Sequence, residues 1–161
     1  MQFKVGEPMF ICGGWNTVRD QLYKLSIDLQ KDRKRVLFID TLNNLNPHHR
    51  FFKRPLQRQY FRNISCVRAE IPYDLLARLK TSDNYIKNNK IGALIVSSLN
   101  LLFKDSQEYE VIPLLNHILE KIDNLTRKNN LITVIGISPH PDEKTMRAAA
   151  ILLTKENLLM V

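Results

Sequence analysis

Five short, almost purely apolar runs, at residues 9–12, 36–39, 64–67, 93–96 and 132–137, recur along the chain. This pattern constrains the fold more than any other feature. A strand with one solvated face alternates apolar and polar residues, whereas a strand covered on both faces of a parallel sheet reads as a continuous run. Segments 18–31, 73–88 and 108–129 lie between them with helical periodicity, and the alternation of strand and helix predicts a doubly wound α/β layer with right-handed crossovers. The last stretch, 148–154 and 158–161 around Lys155-Glu156-Asn157, reads as an antiparallel terminal hairpin. The 161 residues, 44% hydrophobic and 25% charged, are expected to form one domain over residues 1–161.

The turn after the first run carries Gly13-Gly14-Trp15-Asn16-Thr17-Val18-Arg19-Asp20. A strand leading into a helix is the setting in which GxxxxGK[ST] cradles a nucleotide. Here Val18 stands for the second glycine, Arg19 for the lysine and Asp20 for the residue whose hydroxyl would hold magnesium. A carboxylate at that place repels triphosphate oxygens. Thr17 and Asp20 have the spacing of a capping box, so the expectation is that they satisfy the helix amides that phosphate would otherwise satisfy. The alternative is an ordinary strand-to-helix turn.

A net charge of +8 and a sequence pI near 9.6 point to a polyanionic partner. From Thr41 to Ala69 there is no acidic residue, while Arg50, Lys53, Arg54, Arg58, Arg62 and Arg68 are interleaved with Phe51, Phe52, Tyr60 and Phe61. Cations neutralise phosphates and aromatic faces stack unpaired bases, so this segment is a candidate single-strand nucleic-acid surface. The competing reading is a helix or lid with its rings in the core and its charges solvated. The segment 42–63 is the least regular in the chain, about as long as a functional loop.

Cys12 and Cys66 fall inside apolar runs, where free cysteine acts as a small buried hydrophobe; a disulfide scaffold or metal site is not expected from two such residues, nor is a cofactor. His48 and His49, being adjacent, point apart and read as surface residues. No apolar run approaches the roughly 20 residues of a membrane span, and the N-terminus lacks a signal-peptide stretch. The expected compartment is the cytoplasm.

The series Phe10-Ile11-Cys12-Gly13-Gly14, Arg35-Val36-Leu37-Phe38-Ile39-Asp40-Thr41, Ala93-Leu94-Ile95-Val96-Ser97-Ser98 and Leu131-Ile132-Thr133-Val134-Ile135-Gly136 resembles the core of RecA/RadA-type recombinase ATPases, archaeal RadA paralogues in particular, over nearly the whole chain. Phe38-Ile39-Asp40-Thr41 is similar to the family's strand ending in Ile-Asp-Thr-Glu, and residues 114–129 to the long helix before its sensor strand. The resemblance implies a three-layer RecA-like P-loop NTPase core, mainly parallel, closed here by the C-terminal hairpin. It also implies which positions are lost. Ser97 replaces the Walker B aspartate, Leu42 the glutamate that activates water, and Ile137-Ser138 an Asn-Gln pair. Phosphoryl transfer needs positioning, metal and oriented water together, so the expectation is a pseudo-ATPase.

Two functions follow from the resemblance and the charge. One is a non-catalytic accessory protein of DNA recombination or repair that binds DNA, single-stranded in preference, or a RecA/RadA-type recombinase, or both. The basic segment would carry it, with His140, Lys144 and Arg147 at the place resembling the family's second DNA-binding loop. The other is a regulatory or scaffold protein that docks a partner in the dead nucleotide cleft without binding DNA. An open sheet edge near the C-terminus would allow pairing with a second copy.

Overall fold

A computed structural model describes residues 3–41 and 62–161 of the chain. Its six strands are β1 (Pro8–Cys12), β2 (Arg35–Thr41), β3 (Ile64–Ala69), β4 (Ile91–Val96), β5 (Ile132–Ile137) and β6 (Leu158–Met160). They form one sheet in the order β3-β2-β4-β5-β1-β6, with every pairing parallel. Among the described residues the helices are α1 (Trp15–Lys31), α2 (Pro72–Asn88), α3 (Glu108–Lys128) and α4 (Glu143–Leu152), with a short 3-10 helix at Leu99–Phe103.

The continuous apolar runs are strands because both of their faces are covered. Val36, Phe38, Ala93, Ile95 and Val134 pack with Val18, Leu22 and Tyr23 of α1. The alternate residues Leu37, Ile39, Leu94, Val96, Ile135 and Ile137 belong to a second core shared with α2, α3 and α4. Residues two apart share a face of a strand, so the sheet lies between helices. Burial of each large side chain in these cores stabilises the fold by about 1.5–3 kcal/mol.

Helix ends follow local chemistry. Pro72 opens α2, with Asp74 in its first turn, and α3 has Glu108 and Glu110 in its first turn and Arg127 and Lys128 in its last, complementing the helix dipole. Past the ends of α1, α2 and α3 stand Arg33, Lys90 and Asn130 with φ of 60°, 51° and 50°. These are left-handed positions that helices usually give to glycine.

The C-terminal region differs from the sequence expectation. Residues 148–152 are the second half of α4, and β6 pairs parallel with β1, Phe10 opposite Leu158 and Cys12 opposite Met160. There is no antiparallel hairpin among the described residues. The run of alanines favours helix, and Thr145, Ala148, Ala149 and Leu152 form its buried stripe. Cys12 is buried as expected, but Cys66 is exposed, because β3 is an outer strand of the sheet. No helix among the described residues is long and apolar enough to cross a membrane.

Candidate functional site

All strands of a parallel sheet end on one side, so the turns after β1, β4 and β5 gather there. α1 covers one face while α3 and α4 cover the other. The loops diverge between β1 and its neighbours, the place where open α/β sheets take ligands.

At this end of the sheet the turn after β1 is bonded to the strands on both sides of it. The Gly13 amide donates to the Ile137 carbonyl at 3.3 Å, and the Val161 amide donates to the Cys12 carbonyl at 2.9 Å. A Cβ at position 13 would collide with the Val161 carbonyl oxygen and come within 2.9 Å of its Cγ2, so glycine is required for the segment after β6 to lie against the turn. Gly136 performs a similar service in β5. A Cβ there would stand 3.0 Å from Val18 Cγ1, 3.1 Å from Leu22 Cδ1 and 3.1 Å from the Ser98 amide nitrogen. Gly136→Ala is expected to destabilise the fold by about 1–3 kcal/mol through overpacking, measured as a lowered midpoint in denaturant unfolding with unchanged slope.

The capping box is not formed. α1 begins at Trp15 with Gly14 as N-cap (φ −54°, ψ 145°) and no side-chain cap, so Thr17 and Asp20 both lie inside the helix. Asp20 Oδ1 instead accepts from Arg19 Nε at 3.4 Å and from Nη2 at 3.3 Å. The extended backbone at Gly14 lets the helix start three residues earlier than a Thr17 cap requires. A cap-related stability cost for Asp20→Ala has no basis in this geometry. Arg19 and Asp20 thus form an ion pair, one quarter or less exposed on each side.

At the ends of β2 and β4, Ser97 is part of a hydroxyl lock. The Thr41 amide donates to Ser97 Oγ at 2.8 Å, and the two side-chain oxygens are 2.9 Å apart. Thr41 Oγ1 also reaches the Ser98 carbonyl at 3.2 Å. Ser98 Oγ meets Ser138 Oγ at 2.9 Å, and Asn100 clamps Ser138 from both sides: its Nδ2 donates to the Ser138 carbonyl at 2.8 Å and its Oδ1 accepts from the Ser138 amide at 3.0 Å. Thr41, Ser97, Ser98, Asn100 and Ser138 are all buried. Uncharged hydroxyls and an amide at this depth tie strand ends together. They do not offer the carboxylates that hold a magnesium-bound water or accept its proton. No group of three or more His, Cys, Asp or Glu suited to a metal ion occurs among the described residues.

The candidate nucleic-acid residues separate into two groups. Arg50, Phe52, Lys53, Arg54, Arg58 and Tyr60 lie outside the described residues, as do Leu42, His48 and His49 of the other readings, while Arg62 is exposed just before β3. Arg68 is paired with Glu70 at 3.1 Å. Around α4 the expected basic loop is a capped helix start. The Asp142 side chain accepts from the Thr145 amide at 2.9 Å, and His140 Nδ1 accepts from the Asp142 amide at 3.3 Å. Lys144 Nζ donates to the Ser106 carbonyl at 2.8 Å, and Arg147 pairs with Glu108 at 2.8 Å. Both side chains reach from α4 to the start of α3. Sequence reasoning missed Ser98 and Asn100, and it missed α4, although Asp142 three residues before Thr145 and the stripe that follows carry a legible helix-start signal.

These features define an α/β domain whose strand ends are tied together by buried hydroxyl and amide side chains. No protein-family model matches the sequence, and no curated protein matches it.

Proposed function

We propose that the chain is a non-catalytic, RecA/RadA-like accessory protein of DNA recombination or repair, binding DNA, a recombinase, or both. The observation that carries this reading is the replacement of the charged machinery at the strand ends. Arg19 is tied to Asp20 at 3.3 Å, and Ser97 is bound to Thr41 where a hydrolase would hold a carboxylate. The parallel sheet supports the RecA-like assignment, since the residues that resemble the family's strands occupy neighbouring strands of one layer. Fold alone does not transfer function, and the DNA reading rests on the acid-free segment between Thr41 and Ala69. With Lys144 and Arg147 engaged, the weight of that reading falls on Arg50, Lys53, Arg54, Arg58 and Arg62. Such a protein would work in the cytoplasm beside the recombinase.

A scaffold that docks a partner inside the nucleotide cleft without binding DNA is the alternative reading; at that turn Val161 lies against Gly13. The test of the pseudo-ATPase reading is calorimetric titration with magnesium-ATP together with phosphate release. The expected result is no micromolar binding and no turnover; turnover abolished by Arg19→Ala would overturn it.

A further inference from the structure

The starts of α2 and α3 carry large apolar side chains that a folded domain normally buries. Tyr109 is 78% exposed, Tyr73 55%, Ile71 45% and Ile112 36%. The two helix starts are neighbours. The Tyr73 hydroxyl donates to Glu110 Oε1 at 3.0 Å, joining the first turn of α2 to that of α3. Tyr109 precedes Glu110 in the first turn of α3, Ile112 follows Tyr109 by three residues on the same face of α3, and Ile71 is the N-cap of α2.

Carboxylates are interleaved with these side chains. Arg68 pairs with Glu70 at 3.1 Å and Arg147 with Glu108 at 2.8 Å. Asp74 accepts from the Glu70 amide and Glu110 from Tyr73, and neither holds a cation among the described residues. Among the side chains of these two helix starts and their partners, four carboxylates thus outnumber two arginines, on a chain whose net charge is +8. The helix dipole accounts for acids in first turns, but it does not account for exposed tyrosine and isoleucine beside them. Aromatic anchors among partly desolvated neighbours are the composition of interface centres. The sign of the charge selects the partner, because phosphates are repelled here and cationic side chains attracted.

We propose that this patch docks a cationic polypeptide segment of another protein, its Lys or Arg side chains pairing with Asp74 and Glu110 while an apolar anchor lies on Tyr73, Tyr109 and Ile112. The proposal goes beyond the DNA reading and does not depend on it, since the patch and the basic segment share no residue from Arg50 to Arg62. The test uses the whole protein and a fluorescein-labelled peptide of alternating Lys-Leu pairs around a central Trp, followed by fluorescence anisotropy. Saturable binding is expected at low salt, weakened about tenfold, or 1.4 kcal/mol, by Tyr109→Ser. Glu110→Gln keeps the acceptor for Tyr73 and is expected to weaken binding while reducing its salt dependence. The same peptide with Glu for every Lys is expected not to bind. Equal affinity for the wild type and both variants, or no binding at all, would overturn the proposal. Self-association of the whole chain that Tyr109→Ser abolishes would also overturn it, and would make a second copy the occupant.

Discussion

Single-stranded DNA is expected to bind the chain at 50 mM salt and to lose roughly a hundredfold in affinity by 200 mM. The figure follows from five cations, Arg50, Lys53, Arg54, Arg58 and Arg62, each neutralising one phosphate, with a slope of about −0.7 per contact on a single strand. Arg68 is left out because Glu70 already neutralises it. Replacing Arg54 and Arg58 by alanine is expected to flatten the slope by a little under one unit for each contact. Phe52→Ala or Tyr60→Ala is expected to weaken binding by about 1–3 kcal/mol with little change in slope, because stacking releases no counterions. Anisotropy titrations across a salt series separate the two effects. A slope unchanged by the arginine substitutions would remove the segment from the interface.

The second large effect is on stability. Asn100→Leu is expected to lower it by about 2–5 kcal/mol, because the Ser138 amide and carbonyl lose their partner together and each unsatisfied buried group costs roughly 1–3 kcal/mol. Asn100 and Ser138 are both fully buried, so water does not readily replace the lost bonds. For a domain of this size, that corresponds to a fall in Tm of roughly 5–20 °C. Ser98→Ala removes one hydroxyl contact with Ser138 Oγ and is expected to cost less, about 1 kcal/mol. Thermal melts of the two variants test the account of the strand ends as a structural lock. An Asn100→Leu melt close to wild type would mean that Ser138 is satisfied some other way.

The strands were legible because a doubly covered strand leaves an unbroken apolar run, and each of the five expected runs lies within β1 to β5. β6 was mispaired because a three-residue strand carries no register signal; its partner is decided by where α4 delivers the chain. The start of α1 was set by backbone geometry at Gly14, which a side-chain cap pattern does not encode. At the site, the absence of charge at Ser97 could be read from the residue itself. Its bond to Thr41 spans 56 residues and the clamp of Asn100 on Ser138 spans 38, distances over which sequence pattern says nothing about contact. Lys144 and Arg147 were legible as cations, but their partners Ser106 and Glu108 lie 38 and 39 residues away.

The central proposal is that the chain does not bind magnesium-ATP and that its basic segment binds DNA without it. Titration of a labelled single-stranded oligonucleotide with the whole protein, at 50 mM salt with and without magnesium-ATP, tests both halves in one measurement. The account predicts saturable binding and superimposable isotherms. An affinity that shifts when magnesium-ATP is added, or no binding in either condition, would contradict it.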